Sequence, residues 1–250
     1  MEPLSDGLMK GSVLSMALEV KHVTKNFGGV TALGDLSLIL EQGELLGLIG
    51  PNGSGKSTVL NIITGLYRPS NGDVFFEGND ISRLGVHKIA RLGISRTFQT
   101  TRLFFNLKVW ENIRTVYETR GSKTEPDEKI RESLSLVGLE SKSNWFAHEL
   151  SSAEQRLLMI SMGVCTSPKV LLLDEPSAGM NAEEVSETMK IIKRIANDGC
   201  AVMLIEHNMR VIAGICERCL VLNYGKLIAE GRVDEIKSDP LVIKAYLGEE

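Results

Sequence analysis

The stretch LLGLIGPNGSGKST, residues 45–58, restricts what this chain can fold into more than any other segment. An apolar run of strand length feeds a loop with glycines at 50, 53 and 55, and a helical pattern follows at once. That is the pattern G-x-x-x-x-G-K-S. Gly50, Gly53 and Gly55 let backbone amides of the loop, including those of Asn52 and Ser54, close around phosphate oxygens. The helix that follows, opening through Lys56, Ser57 and Thr58, turns its positive end toward the same anion. Lys56 is placed to reach the β- and γ-phosphates of a nucleotide, and Ser57 to hold Mg²⁺.

A phosphate loop of this kind requires a strand on one side and a helix on the other, and the rest of the chain supplies both. Apolar runs at residues 36–40, 45–49 and 73–76 bracket a helical pattern over 56–66. Late in the chain the order returns: a run at 170–173, a helix over 185–195, a run at 201–205, a short helix and a run at 220–223. Strands without polar alternation, separated by helices, indicate a parallel sheet covered on both faces. At the start, Leu18, Val20 and His22 alternate as one face of a strand.

Between these halves, residues 109–164 are helical in pattern. Ile130, Leu134 and Val137 share a face, Gly138 is placed to stop their helix, and residues 120–128 read as an exposed polar loop. The expected organisation is a tail over residues 1–16 and one α/β domain over 17–250. Its core takes residues 17–98 and 167–250, and an inserted helical subdomain takes 99–166.

A phosphate cradle alone hydrolyses nothing. KVLLLDEP, residues 169–176, delivers Asp174 and Glu175 to the carboxyl end of a buried strand, where sheets of this kind bind their ligands. Asp174 suits support of the metal, and Glu175 suits polarising a water against the γ-phosphate.

The chain has 250 residues, 43% hydrophobic and 24% charged, with a formal net charge of -4. This balance supports packed domains and lacks the dominating basic face that nucleic acid requires. No apolar run reaches the roughly 18 residues of a membrane span, and the first fifteen residues lack the apolar stretch of a signal peptide. Of four cysteines, Cys165 and Cys200 sit in apolar stretches and read as buried thiols. Cys216 and Cys219 form a single C-x-x-C with no second pair, a poor basis for zinc and a sign of a reducing compartment.

With these motifs in order, the chain from Ala17 onward resembles the ATP-binding cassette family. That family's fold is a parallel-sheet, RecA-like P-loop core with an N-terminal antiparallel β part and an inserted helical subdomain, and its substrate and metal are ATP and Mg²⁺. By this resemblance Phe27, in KNFGGVTAL, stacks on adenine. Gln99, in SRTFQ, contacts the metal and links it to the helical subdomain. His207, in LIEHNM, contacts the γ-phosphate, while His22, His87 and His148 remain structural. PSAGMN, residues 176–181, resembles the loop through which paired cassettes communicate.

LSSAEQR, residues 150–156, is similar to the family signature, whose helix points its N-terminus at the γ-phosphate held by a second cassette. Ser151 and Glu154 independently read as a capping box, S-x-x-E. The resemblance makes Ser151, Ala153 and Glu154 contributors to ATP binding in trans, in a head-to-tail dimer with an identical or a different cassette. The methyl of Ala153 and the charge of Glu154 depart from the family pattern and are expected to weaken that half-site.

GISRTFQTTRLFFNLKVWENI, AGMN and the ending DPLVIKAYLGEE resemble the larger ATPase subunit of branched-chain amino acid importers. This implies a peripheral protein on the cytoplasmic face of the inner or plasma membrane, beneath integral-membrane permease subunits served by an extracytoplasmic solute-binding protein. Urea or amide importers and lipopolysaccharide exporters share much of this tail. A cassette acting on DNA or ribosomes usually has long coiled coils or two fused cassettes, and neither is present here.

Overall fold

The computed structural model describes residues 15–119 and 126–247. The chain opens with a long hairpin, β1 (Met16–Phe27) and β2 (Val30–Glu41), paired from Met16↔Glu41 to Phe27↔Val30. Then come β3 (Leu45–Ile49), α1 (Lys56–Ile63), β4 (Asn71–Phe76), β5 (Asn79–Asp80), α2 (Val86–Leu92) and β6 (Ile94–Arg96). A helical stretch contains α3 (Val109–Thr119), α4 (Pro126–Val137) and α5 (Ser152–Val164). The chain returns through β7 (Val170–Asp174), α6 (Ala182–Asn197), β8 (Ala201–Ile205), α7 (Met209–Ile215), β9 (Arg218–Asn223) and β10 (Lys226–Arg232). It closes with α8 (Val233–Ile236) and α9 (Pro240–Leu247).

Two sheets result. One is antiparallel, in the order β2-β1-β4-β5; the other runs β10-β9-β3-β8-β7-β6 and is parallel except for β10 at its edge. Every residue of β7 and β8 is buried, as parallel strands covered on both faces must be. Successive residues feed opposite cores. Leu171, Leu173, Val202 and Leu204 pack with Ile113, Leu134, Leu158 and Ile192 of the helices. Val170, Leu172, Met203 and Ile205 pack with Leu18, Leu36 and Leu60 of the hairpin and α1. The parallel sheet is therefore the middle layer, and its two coats are chemically independent.

Several expectations shift at element ends. The face read as Leu18, Val20, His22 breaks after Val20: His22 has φ 48°, is exposed, and its ring nitrogen lies 2.8 Å from Asp35. Val23 takes the buried place instead, because a bulge with an irregular register lets the apolar residue win the core. The helix begun at Lys56 stops at Ile63 rather than 66, where the Thr64 hydroxyl bonds back to the Leu60 carbonyl. The helix expected over 185–195 runs from Ala182 to Asn197, because the Asn181 side chain accepts from the amides of Glu183 and Glu184.

Of the polar stretch 120–128, residues 120–125 lie outside the described residues, as do residues 1–14 of the expected tail. Pro126, Asp127 and Glu128 are not loop but the first turn of α4, a position favourable to proline and acidic side chains. Ile130, Leu134 and Val137 do share its buried face, and the helix does end before Gly138. No helix among the described residues is long and apolar enough to cross a membrane.

A truncation at the central layer measures how much the sheet carries. Leu204→Ala, which opens a cavity at a fully buried site, is expected to cost about 2–5 kcal/mol in urea unfolding. Ile39→Ala, on the exposed side of β2, is expected to cost less than about 1 kcal/mol.

Candidate active site

β3 ends at Ile49, and the next residue turns with φ 147°. A Cβ on Gly50 would stand 2.1 Å from the Leu222 carbonyl oxygen, so only glycine lets the loop leave the sheet here. Gly55, φ 109°, caps α1 with no side-chain acceptor, and a Cβ there would meet Leu33 and the Ala32 carbonyl. The first amides of α1 are thus left without side-chain partners, and no acidic residue stands in its first turn.

Residues 52–58 line a cavity of about 370 Å³ together with Gln99, Asp174 and Glu175, so the two halves of the sequence pattern meet in one place. Asn52, Gly53 and Ser57 are exposed, while Ser54 and Lys56 are buried. The Ser54 hydroxyl is buried with no partner among the described residues. Lys56 Nζ donates to the carbonyls of Gly50 (2.7 Å) and Pro51 (3.0 Å). Burial lowers its pKa, and the nearby Glu175 and Asp174 carboxylates counter that shift. Free helix-end amides, a buried ammonium and two carboxylates on the opposite wall suit a polyphosphate bound with a divalent cation.

Asp174 is the last residue of β7, and Glu175 follows it in the left-handed region, φ 50°. For a non-glycine residue this is a strained conformation, and it turns the two adjacent carboxylates apart. The Gln99 Nε2 donates to Glu175 Oε2 at 2.9 Å, and His207 Nδ1 lies 3.6 Å from Glu175 Oε1. Gln99, Glu175 and His207 therefore form one constellation at the carboxyl end of β7 and β8.

Two expected contributors stand elsewhere. Phe27, at the end of β1, is 43% exposed and meets Tyr67 edge-on, with ring centroids 5.2 Å apart. Ser151 caps α5: the Glu154 amide donates to its hydroxyl at 3.3 Å, and its own amide donates to Glu154 Oε2 at 3.0 Å. Neither group lines the phosphate cavity of its own chain.

The comparisons with known proteins agree with this geometry. The family described as ABC transporter matches residues 33–178, and the family described as branched-chain amino acid ATP-binding cassette transporter matches residues 226–250. The chain belongs to the ABC transporter ATP-binding family.

Among relatives, the high-affinity branched-chain amino acid transport ATP-binding protein BraF of Pseudomonas aeruginosa is 37% identical, covering 93% of this chain and 98% of that protein. The lipopolysaccharide export system ATP-binding protein LptB of Acidithiobacillus ferridurans is 34% identical, covering 95% and 99%. A nucleotide-free ATP-binding cassette from an ABC transporter superimposes with a TM-score of 0.87 at 30% identity, covering 94% of this chain and all of that one. The cassette is thus an ATPase of a family that hydrolyses ATP to power transport, working as dimers with membrane permease subunits.

Within the cassette, Ala153 and Glu154, which depart from the family pattern, take definite places, and Glu154 completes the capping box expected with Ser151. Ala153 is only 9% exposed, so its methyl is packed into the chain, and the outward position belongs to Ser152. The Glu154 carboxylate turns back to the Ser151 amide and to Lys142. Partial burial disfavours its ionisation, but Lys142 and Ser151 outweigh this and hold its pKa below the ordinary value. Its charge is spent on the cap and does not face outward.

Four site-adjacent groups escaped the sequence reading. Arg96 bonds Asp174, and Asn61 of α1 bonds Arg96. Arg156 Nη1, one turn into α5, donates to the Glu175 carbonyl at 3.1 Å and reaches the Gln99 carbonyl at 3.4 Å. Glu206, 1% exposed between β8 and His207, accepts from both the amide and the hydroxyl of Ser177. Only Arg96 left a trace, as a cation sharing a strand face with the buried Ile94.

Burial pushes the Glu206 carboxyl above its ordinary value of 4.5, against the opposing pull of its Ser177 hydrogen bonds and of His207. The neutral form is therefore favoured by folding. Its stabilising contribution is full below the unfolded pKa and is lost as pH rises through the folded one. Glu206→Gln keeps an acceptor for Ser177 and removes the charge. It is expected to raise the melting temperature by about 2–4 °C at pH 8, equivalent to about 1 kcal/mol at this size. The gap should close as pH falls toward 4.5 in parallel thermal melts.

Proposed function

We propose that this cassette is the ATP-hydrolysing subunit of an importer for branched-chain amino acids, working beneath separate membrane subunits served by an extracytoplasmic solute-binding protein. The observation that carries the substrate class is the match of residues 226–250 to the branched-chain amino acid cassette family, outside the segment shared with ABC transporters at large. BraF points the same way. The LptB relatives, at 34% identity, favour lipopolysaccharide export as the second reading.

In this proposal residues 17–98 and 167–250 form the catalytic core and residues 99–166 a helical subdomain. Gly50, Asn52, Gly53, Ser54 and Gly55 wrap the phosphates with backbone amides, and Thr58 extends the helix end that faces them. Lys56 exchanges its two carbonyl partners for phosphate oxygens. Phe27, exposed beside Tyr67, offers its ring to the adenine. A Mg²⁺ ion held by Ser57, Gln99 and Asp174 would neutralise charge developing on the phosphates. Glu175 orients and deprotonates the attacking water, steadied by the Gln99 amide, while His207 stands beside it toward the γ-phosphate.

The second half of each site comes from a partner cassette. The N-terminus of α5, capped by Ser151 with Ala153 packed inward and Glu154 turned back, presents amides to the partner's nucleotide. Loop 176–181 lies between Glu175 and the Asn181 cap of α6 and carries the state of one site toward the other. Phe104 and Phe105, exposed at 56% and 41%, offer an apolar surface to permease segments.

The tests separate chemistry from substrate. Glu175→Gln is expected to lower kcat at least 10²-fold with ATP affinity within about threefold, measured by phosphate release and equilibrium binding. An unchanged kcat removes Glu175 from the base role. For substrate, the complex assembled with its co-purifying membrane subunits in vesicles should raise its ATPase rate with binding protein loaded with Leu, Ile or Val. Stimulation by lipopolysaccharide and not by these amino acids would reassign the cassette to export.

A further inference from the structure

Arg96 ends β6 with its side chain 7% exposed, against Asp174 at 6%. Its fork is divided between two elements: Nη2 donates to Asp174 Oδ2 at 3.0 Å, and Nη1 donates to Asn61 Oδ1 at 2.5 Å. Asn61 lies on α1, the helix that begins with Lys56 and Ser57. The guanidinium also stands 4.9 Å from the centre of the Phe98 ring.

This arrangement is a poor device for stability. A buried ion pair recovers its desolvation cost only when the remaining donors are satisfied, and Arg96 Nε is buried with no partner among the described residues. A well-packed apolar pair would hold β6 to β7 better. What the pair does accomplish is geometric. It occupies Oδ2 of Asp174, a residue that lines the cavity, and braces the carboxylate against the helix that carries Lys56 and Ser57. The wall that ends β7 and the wall that begins α1 are thereby tied through one planar group. Lysine cannot replace it, since a single ammonium lacks the rigid fork that serves two acceptors at fixed separation.

We propose that Arg96 is a positioning residue that sets the divalent-cation dependence of nucleotide binding by bracing the Asp174 carboxylate against Asn61 of α1. The inference rests on the reading of Asp174 as a Mg²⁺ ligand, and it concerns orientation of that ligand, not contact with the metal. Partners that orient a metal ligand typically change metal affinity 10–100-fold when lost.

The test is equilibrium binding of a fluorescent ATP analogue to the full chain, in EDTA and across a Mg²⁺ titration, for wild type, Arg96→Lys, Asp174→Asn and the double variant. R96K is expected to leave the affinity in EDTA within about twofold and to raise the Mg²⁺ concentration at half-saturation about tenfold. Added to D174N, R96K should produce no further shift, because its effect passes through Asp174. An R96K half-saturation equal to wild type, with D174N shifted, overturns the role of Arg96 alone. So does a shift from R96K that adds in full to that of D174N. A D174N protein with unaltered Mg²⁺ dependence overturns the reading of Asp174, and this inference with it. Asn61→Ala leaves the ion pair in place and carries the test should R96K fail to fold. It is expected to shift half-saturation about threefold in the same direction, and no shift overturns the brace to α1.

Discussion

The site depends on the register of three buried parallel strands. Leu48 of β3 pairs with Ile205 of β8, and Ile205 pairs in turn with Asp174 of β7. The Glu175 amide then donates to the Ile205 carbonyl at 3.0 Å. One residue on the middle strand thus aligns the entrance to the phosphate loop with the two carboxylates across from it. A slip of one position would exchange the faces of β7 and drive its core residues to the wrong coat. The two hydrophobic layers therefore hold the geometry of the candidate site as well as stability: Leu171 and Leu173 secure one face of the strand, Val170 and Leu172 the other.

On that scaffold, charge is managed by burial and pairing. Lys56 keeps an ammonium largely out of water because two backbone carbonyls accept its protons and two carboxylates lie nearby. Glu154 shows the same logic at the N-terminus of α5, where the cap geometry absorbs a charge that would oppose an anion. The helix α5 can thus carry a glutamate in its first turn while keeping its positive end free of an outward-facing charge. What matters at a helix end is which way the carboxylate points, and the capping box fixes that direction.

How far these features could be read in advance follows from their range. The phosphate loop, the strands at 170–173 and 201–205, and the cap at Ser151 are local patterns, and the structure places them within a residue or so of where periodicity does. The bulge at His22 and the start of α4 at Pro126 are also local, but each is a competition: a buried Val23 against strict alternation, and a favourable first helical turn against a polar loop. The roles of Arg96, Arg156 and Glu206 were not legible, though Arg96 left a trace on its strand face, because each has meaning only through a partner distant in sequence. Arg96 meets Asn61 and Asp174, Arg156 meets Gln99 and Glu175, and Glu206 meets Ser177. The burial of Ala153 was not legible for the related reason that it depends on packing against the rest of the chain.

Arg156 closes the connection between the two ends of the cassette. It lies on the same helix that Ser151 caps, and its Nη1 bridges the carbonyls of Gln99 and Glu175. Gln99 in turn donates through its side chain to the Glu175 carboxylate. The strained backbone at Glu175 is therefore held from three directions: by the Ile205 carbonyl at its amide, by Arg156 at its carbonyl and by Gln99 at its carboxylate. The Arg156 bonds tie α5 directly to the Glu175 peptide at the end of β7. A non-glycine residue in the left-handed region costs on the order of 1–3 kcal/mol, and these three restraints hold it there. The helix capped by Ser151 and the Glu175 carboxylate are thus linked through Arg156 and Gln99.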